Sequence, residues 1–199
     1  MTLRRSRRPG LIAHLSATPR IAVVSQNSSR VLLRAARPAD REEFIQLMRG
    51  SRRHLRPWIY APETPDAFDE LIRRGRTDEY EFLLVCLKDG GAIVGSFHLS
   101  QIFRGGFQSA YLGFAAGKPY AGRGLMREGL ELTLRHAFRT LRLHRVEANV
   151  QPGNERSKQL VTRCGFRLEG FSPRYLKVGG RWRDHERYAL TVEDWRAAR

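Results

Sequence analysis

Apolar positions along the chain change period several times, and each change marks an element. Val31, Leu32 and Leu33 form a short aliphatic run that predicts a strand over residues 30–34. Pro38 and Asp40 then punctuate it, and Phe44, Leu47 and Met48 recur at helical spacing. Asp40 with Glu43 three residues on has the spacing of a capping box, so a helix over residues 41–49 is expected. Pro57 biases the segment around residues 54–58 towards a loop. Pro65-Asp66 opens a second helix whose Phe68, Leu71 and Ile72 share one side.

Residues 80–87 and 92–102 read as strands parted by Lys88-Asp89-Gly90-Gly91, strong hairpin punctuation, and residues 107–115 as a third strand completing an antiparallel meander. Glycine and proline gather at residues 117–124. Leu125, Leu130, Leu132, Leu134 and Phe138 then mark a helix ending near Arg142. A strand at residues 146–150 leads through Pro152-Gly153-Asn154 to a helix carrying Leu160 and Val161, closed at Gly165. Residues 166–170, 175–178 and 185–191 complete the set as strands. This order predicts an α/β (α+β) fold, a mixed, mostly antiparallel central sheet covered by helices on both faces. Residues 30–199 make one domain, and residues 1–29 read as a basic disordered extension or as sequence upstream of the true start.

Charge adds a constraint on partners. The 199 residues hold 36 Lys and Arg against 20 Asp and Glu, a net charge of +16. The excess is mostly arginine spread along the chain, which suits nucleic acid, a ribonucleoprotein surface or a polyanionic cofactor, and equally suits a coding bias towards Arg. Cys86 and Cys164 have neither disulfide nor metal-ligand spacing, so a reducing, cytoplasmic setting is expected and no metal. No apolar stretch reaches the length of a membrane span, and none at the N-terminus is long enough for export.

Chemistry concentrates in the second half. Tyr120-Ala121-Gly122-Arg123-Gly124-Leu125 is a glycine-containing loop between strand and helix, where unpaired amides and the helix dipole can receive an anion, although it is neither a Rossmann fingerprint nor a P-loop. Asn154 and Ser157 open the next helix. Together with the strand at residues 109–114, Glu147-Ala148-Asn149-Val150, Asn154-Glu155-Arg156-Ser157, Cys164-Gly165-Phe166, His54-Leu55-Arg56-Pro57-Trp58, Gly95-Ser96-Phe97-His98 and Trp182-Arg183-Asp184-His185, these blocks resemble the Gcn5-related N-acetyltransferases (GNAT). Within them the chain is most similar to the RimJ/RimL-type ribosomal-protein-alanine N-acetyltransferases. The resemblance covers residues 30–196.

It implies acetyl-CoA as donor. The pantetheine arm would lie between the strands at 109–115 and 146–150 along Leu112, Gly113 and Phe114, and the diphosphate over Tyr120, Ala121, Gly122, Arg123, Gly124 and Leu125. Pro119 stands where the family carries Gln or Arg and has no N–H to give, though Lys118 and Arg123 could supply charge. The resemblance also implies that Asn154 bonds the arm and that Ser157 protonates the departing thiolate; as a helix cap and a back-bonded hydroxyl both have structural readings too. Arg174 occupies the place before Tyr175 where a relative has its carboxylate base, leaving Glu147 and His98 as candidates. Trp58, Tyr111, Tyr175 and Trp182 are candidate walls for the acceptor. The expected reaction is acetylation of a protein N-terminal α-amine, plausibly ribosomal. The alternatives are acetylation of an aminoglycoside or polyamine, and a weakly catalytic module that contacts RNA on a ribonucleoprotein.

Overall fold

The computed structural model describes residues 23–27 and 29–199. Seven strands form one sheet in the order β1-β2-β3-β4-β5-β7-β6. They are β1 Val31–Ala35, β2 Tyr80–Leu87, β3 Ile93–Phe103, β4 Ser109–Ala116, β5 Arg145–Val150, β6 Arg167–Val178 and β7 Arg181–Thr191. All neighbours are antiparallel except β4 and β5. Helices α1 (Arg41–Leu55) and α2 (Pro65–Arg74) cover one face of the first four strands, while α3 (Leu125–Arg135) and α4 (Glu155–Arg163) cover the other. On the α3 side Leu83, Val85, Phe97, Leu99, Leu130 and Val146 form a dry core. On the α1 side Phe44, Phe68 and Phe82 meet with ring centroids 5.4 to 5.7 Å apart. Gly129 lets α3 approach the sheet closely, because a Cβ there would stand 2.7 Å from Val85 Cγ2.

Several expected boundaries move. Helix α1 continues to Leu55, since Ser51 and Leu55 prolong the buried stripe and Pro57 stops the helix only at its extended predecessor Arg56. The capping box at its start does not form. The Asp40 carboxylate instead binds the Arg34 guanidinium and the Arg37 amide, and Glu43 accepts from the Ile93 amide at 2.6 Å. Helix α3 passes at Arg135 into a wider π turn over His136–Thr140, closed by Leu141 N–H donating to His136 O. The two strands expected at 166–170 and 175–178 are one strand, β6, with irregularities between Leu168 and Gly170 and between Ser172 and Leu176. At the edge of the sheet, Pro173 and a bulge are tolerated. A last helix, α5 (Val192–Ala197), lies beyond the expected elements.

Of the extension expected over residues 1–29, residues 1–22 and 28 lie outside the described residues. Val24 pairs with Leu33, and the Ser29 hydroxyl donates to Val31 O.

Candidate functional site

Strands β4 and β5 are paired only at Ser109–Arg145, Ala110–Val146 and Tyr111–Glu147. Both run on, to Ala116 and Val150, without a further pair between them, so the sheet splits into a V. Backbone groups of β4 that point across this gap beyond Tyr111 lack a strand partner, an unusual state within a sheet. Leu112, Gly113 and Phe114 line it.

At the wide end the chain turns through a short 3-10 segment at Lys118–Tyr120 and enters α3. Gly122 and Gly124 have φ of 75° and 77°, a region that disfavours any side chain with a Cβ. The amides of Gly122, Arg123 and Gly124 donate to no backbone acceptor among the described residues, and those of Leu125 and Met126 begin the helix, where no intrahelical acceptor exists. The loop is braced from β1. Arg30 donates to Glu128 Oε1 through Nε (2.7 Å) and to Arg123 O through Nη2 (2.8 Å). Lys118 is fixed by its amide donating to Ser51 Oγ (2.8 Å). Beside it a cavity of about 490 Å³ is lined by Arg49, Gly50, Arg52, Arg53, His54 and Lys118. The whole end of the V is positive and rich in free N–H groups, a match for a diphosphate.

On the other arm, Asn154 Oδ1 accepts from Ser157 N at 3.3 Å, so Asn154 caps α4. Ser157 is half-buried, and its hydroxyl makes no hydrogen bond to the backbone among the described residues.

The candidate acceptor side is the sheet face opposite α3 and α4. Alternation puts Val146, Ala148 and Val150 into the core and leaves Arg145, Glu147 and Asn149 on this face of β5. Register then places Arg187 and Ala189 of β7 beside them, and His185 and Arg183 follow on the same side. Glu147 Oε1 accepts from Arg145 Nε (2.7 Å), and Arg145 also grips Glu169. Those carboxylates hold the Arg145 guanidinium well above its ordinary value, Glu169 first. Arg145 in turn holds the Glu169 carboxyl low. Tyr111 is pushed up to about 12 by the adjoining Tyr175 hydroxyl and then by burial. Arg174, with φ 49° in the β6 bulge, donates its amide to Asp184 Oδ1 at 2.7 Å, and this turn sets Tyr175 against Tyr111 and edge-on to His185.

The segment between α1 and α2 leans over this face. Trp58 packs against Gly153, where a Cβ would come within 3.0 Å of its ring, and its carbonyl accepts from Gln151 Nε2 at 2.9 Å. Tyr60 lies on Gly179 at the β6–β7 turn, and His54 Nδ1 meets Arg156 Nη1 at 2.9 Å.

Register and contacts thus group Tyr111, Glu147 and Tyr175 on one face, with Trp58 against Gly153 beside the Asn154 and Ser157 helix start, near the split between β4 and β5. Two candidates stand apart from it. His98 neighbours Gly113 across the β3–β4 ladder, but its Nδ1 meets Tyr80 Oη at 2.5 Å, its Nε2 meets Ser96 Oγ at 3.2 Å, and its ring stacks on Phe82. Burial, followed by repulsion from Arg74, lowers it to about 4. Trp182 is 62% exposed on the even-numbered side of β7. Sequence reasoning passed over Asn149, whose Oδ1 is buried without a partner, and His185, buried with Nδ1–H donating to Arg183 O. Their alternation with Glu147 and Arg187 was the available signal.

Residues 30–167 match the acetyltransferase (GNAT) domain. The chain is 30% identical over 197 residues to the [ribosomal protein uS5]-alanine N-acetyltransferase of Escherichia coli K12, covering 95% of this chain and 100% of the relative. It is 26% identical to the spermidine N(1)-acetyltransferase of Vibrio cholerae, over 80% of this chain and 92% of that one. Among solved structures, Mycobacterium smegmatis RimJ in complex with CoA-disulfide superposes with a TM-score of 0.78 at 28% identity, covering 87% of this chain and 88% of that one.

Proposed function

The chain belongs to the GNAT acetyltransferases, with acetyl-CoA as its donor, and on that premise we propose that the acceptor is the N-terminal α-amine of a ribosomal protein. One observation carries the choice over a polyamine. On the acceptor face of β4 to β7 the only carboxylates are Glu147 and Glu169, both bound to Arg145, while Arg183 and Arg187 add positive charge. One ammonium can be received beside Glu147. A chain of several would be repelled.

The residues fit the donor. Amides of residues 122–126 would hold the diphosphate, and the unpaired β4 backbone along Leu112, Gly113 and Phe114 would take the amide-bearing arm in strand-like fashion, with Asn154 at its far side. Acetyl-CoA supplies an acetyl thioester, whose carbonyl carbon the amine attacks. An α-amine near pKa 7.7 to 8.0 is partly neutral at pH 7, so orientation matters more than a strong base. Glu147 receives the amine's proton, directly or through one water, with Arg145 fixing the carboxylate. As the C–N bond forms and the C–S bond breaks, the Ser157 hydroxyl, free of backbone bonds, gives its proton to the departing sulfur and is reprotonated from solvent, to which Glu147 releases the proton taken from the amine. Tyr111, Tyr175 and Trp58 wall the acceptor passage.

Acetyl-CoA turnover over Ala- or Ser-starting peptides, spermidine and an aminoglycoside, read by product mass, tests the assignment. Peptides are expected to lead. Faster turnover of spermidine or the aminoglycoside at equal concentration would refute the protein acceptor and leave fold and donor standing. On a ribosomal substrate the Arg-rich surface would add a rate advantage that shrinks as salt shortens the screening length.

A further inference from the structure

Two guanidinium groups that lie partly out of water in this fold are matched by carboxylates. Arg34 has Asp40, at 2.7 Å from each of two nitrogens, and Arg145 has Glu147 and Glu169. Arg183 is the exception on the acceptor face. Its side chain is partly buried, its Nε is buried with no hydrogen-bond partner, and no ion pair forms to it among the described residues. An unmatched buried donor on a charged group costs stability and calls for an explanation, and a ligand to the same guanidinium supplies one. The acids nearest in sequence are turned elsewhere: Asp184 takes the Arg174 amide, and Glu186 takes the Tyr188 hydroxyl and Lys158.

Position says which ligand. Arg183 pairs with Leu176 on the β6–β7 hairpin, beyond Glu186, the last β7 residue paired to β5. The residues level with Asn149 and Glu147 are Arg187 and Ala189. Arg183 therefore stands roughly 13 to 20 Å along the strand from the reacting end, the length of about four to six extended residues. The α1–α2 segment leans on the tip of the same hairpin through Tyr60 on Gly179, so a chain leaving the amine site between them runs past Arg183.

Resting on the α-amine reading above, we infer that Arg183 forms a carboxylate subsite of the acceptor passage, which reads an Asp or Glu about four to six residues into the acceptor N-terminus. The guanidinium donates from its two Nη groups, which carry no ion pair among the described residues and are not buried like Nε, to the two carboxylate oxygens. Arg187, exposed on the same face, strengthens the field.

The test uses the full chain with acetyl-CoA and a set of Ala-starting peptides in which Glu, Gln or Lys is moved through positions two to eight. At one register within four to six, kcat/KM for Glu should exceed that for Gln by about tenfold, as a charge-assisted bond implies, mostly through KM. Arg183→Gln should bring that ratio close to one, Arg183→Lys should keep part of it, and Arg183→Glu should turn the preference towards Lys. A ratio near one at every register in the unaltered protein, or one that survives Arg183→Gln, overturns the subsite while peptide acetylation stands. If spermidine is turned over and no peptide is, the α-amine reading falls and takes the subsite with it.

Discussion

The two sides of the split sheet are built by different means. On the side proposed for the donor, from the β4 gap through the loop at 117–124 to α3, the features are those of backbone: unpaired amides, glycines at positive φ and a helix start. On the side proposed for the acceptor, β5, the β6–β7 hairpin and the α1–α2 segment contribute side chains set by register and bulges. A backbone site suits a ligand that never changes. A side-chain site on exposed strand positions and a connecting segment can be re-lined by substitution without disturbing the sheet, which is how one fold accommodates acceptors of different charge.

Backbone dependence makes the donor side the more fragile. Gly124→Val places a β-branched residue at φ 77°, and its Cβ would stand 3.3 Å from Arg30 Nη2, the group that braces the loop. Coenzyme A affinity by calorimetry is expected to fall about a hundredfold, with about 1 to 2 kcal/mol lost from stability, from αL strain and misdirected amides together. Unchanged affinity would move the diphosphate elsewhere.

Next in size are the two groups proposed to handle protons. Glu147→Gln keeps shape and loses proton acceptance, so kcat/KM should drop by about a hundredfold at pH 7, the lower end of the ordinary range for a general base. Ser157→Ala should lower kcat about tenfold while coenzyme A binding holds, since the lost bond belongs to the transition state. Equal catalytic efficiency in either variant would return that residue to a structural role.

His98 gives a smaller effect of another kind. Its folded value, about 4, lies below the ordinary 6.5, so the fold favours the neutral ring. That contribution is fully present above about pH 6.5 and is lost as pH falls through about 4. It amounts to at most about 3 kcal/mol, less whatever water reaching the half-buried ring restores. The free energy of unfolding measured in urea should fall less from pH 7 to 4.5 in His98→Phe than in the unaltered protein. The pH-rate profile should carry no limb near 6.5 from this residue; a limb there that vanishes in His98→Phe would restore His98 to the chemistry.

What could be read from the chain follows the same division. The meander, the glycine loop and the Asn154 and Ser157 helix start are local patterns within short windows, and they stand close to where they were expected. The carboxyl end of β6 is not local. Ser172, Pro173 and Arg174 read as a break between strands, and only the edge position of β6 reveals that they form a bulge turning Tyr175 towards Tyr111. Asp40 and Glu43 fit a capping box by spacing, yet Arg34 and the Ile93 amide, distant or unremarkable in sequence, claim them in three dimensions. His98 shows the limit most plainly: a histidine beside a glycine-bearing strand looks reactive until Tyr80, Ser96 and Phe82 are found around it.

The smallest expected effect is at Trp182. A tryptophan near the end of the chain, followed by Arg183, Asp184 and His185, reads as an acceptor wall, because aromatic side chains commonly line such passages. In the structure the alternation of β7 divides these neighbours. Arg183 and His185 face the passage, whereas Trp182 and Asp184 face the other way, and Trp182 pairs with Lys177 with 62% of its surface in water. An indole so exposed has little burial to lose, so Trp182→Ala should change stability by no more than about 0.5 kcal/mol and leave kcat/KM for a peptide within about twofold. Tyr175→Phe is the matched comparison: it keeps an aromatic ring on the acceptor side and removes only the hydroxyl beside Tyr111, and it should raise KM for the peptide by about threefold to tenfold, the worth of one hydrogen-bonding group. If Trp182→Ala proves the more damaging of the two, the acceptor chain crosses the even-numbered side of the hairpin, and the assignment of the odd-numbered face as the acceptor surface is wrong.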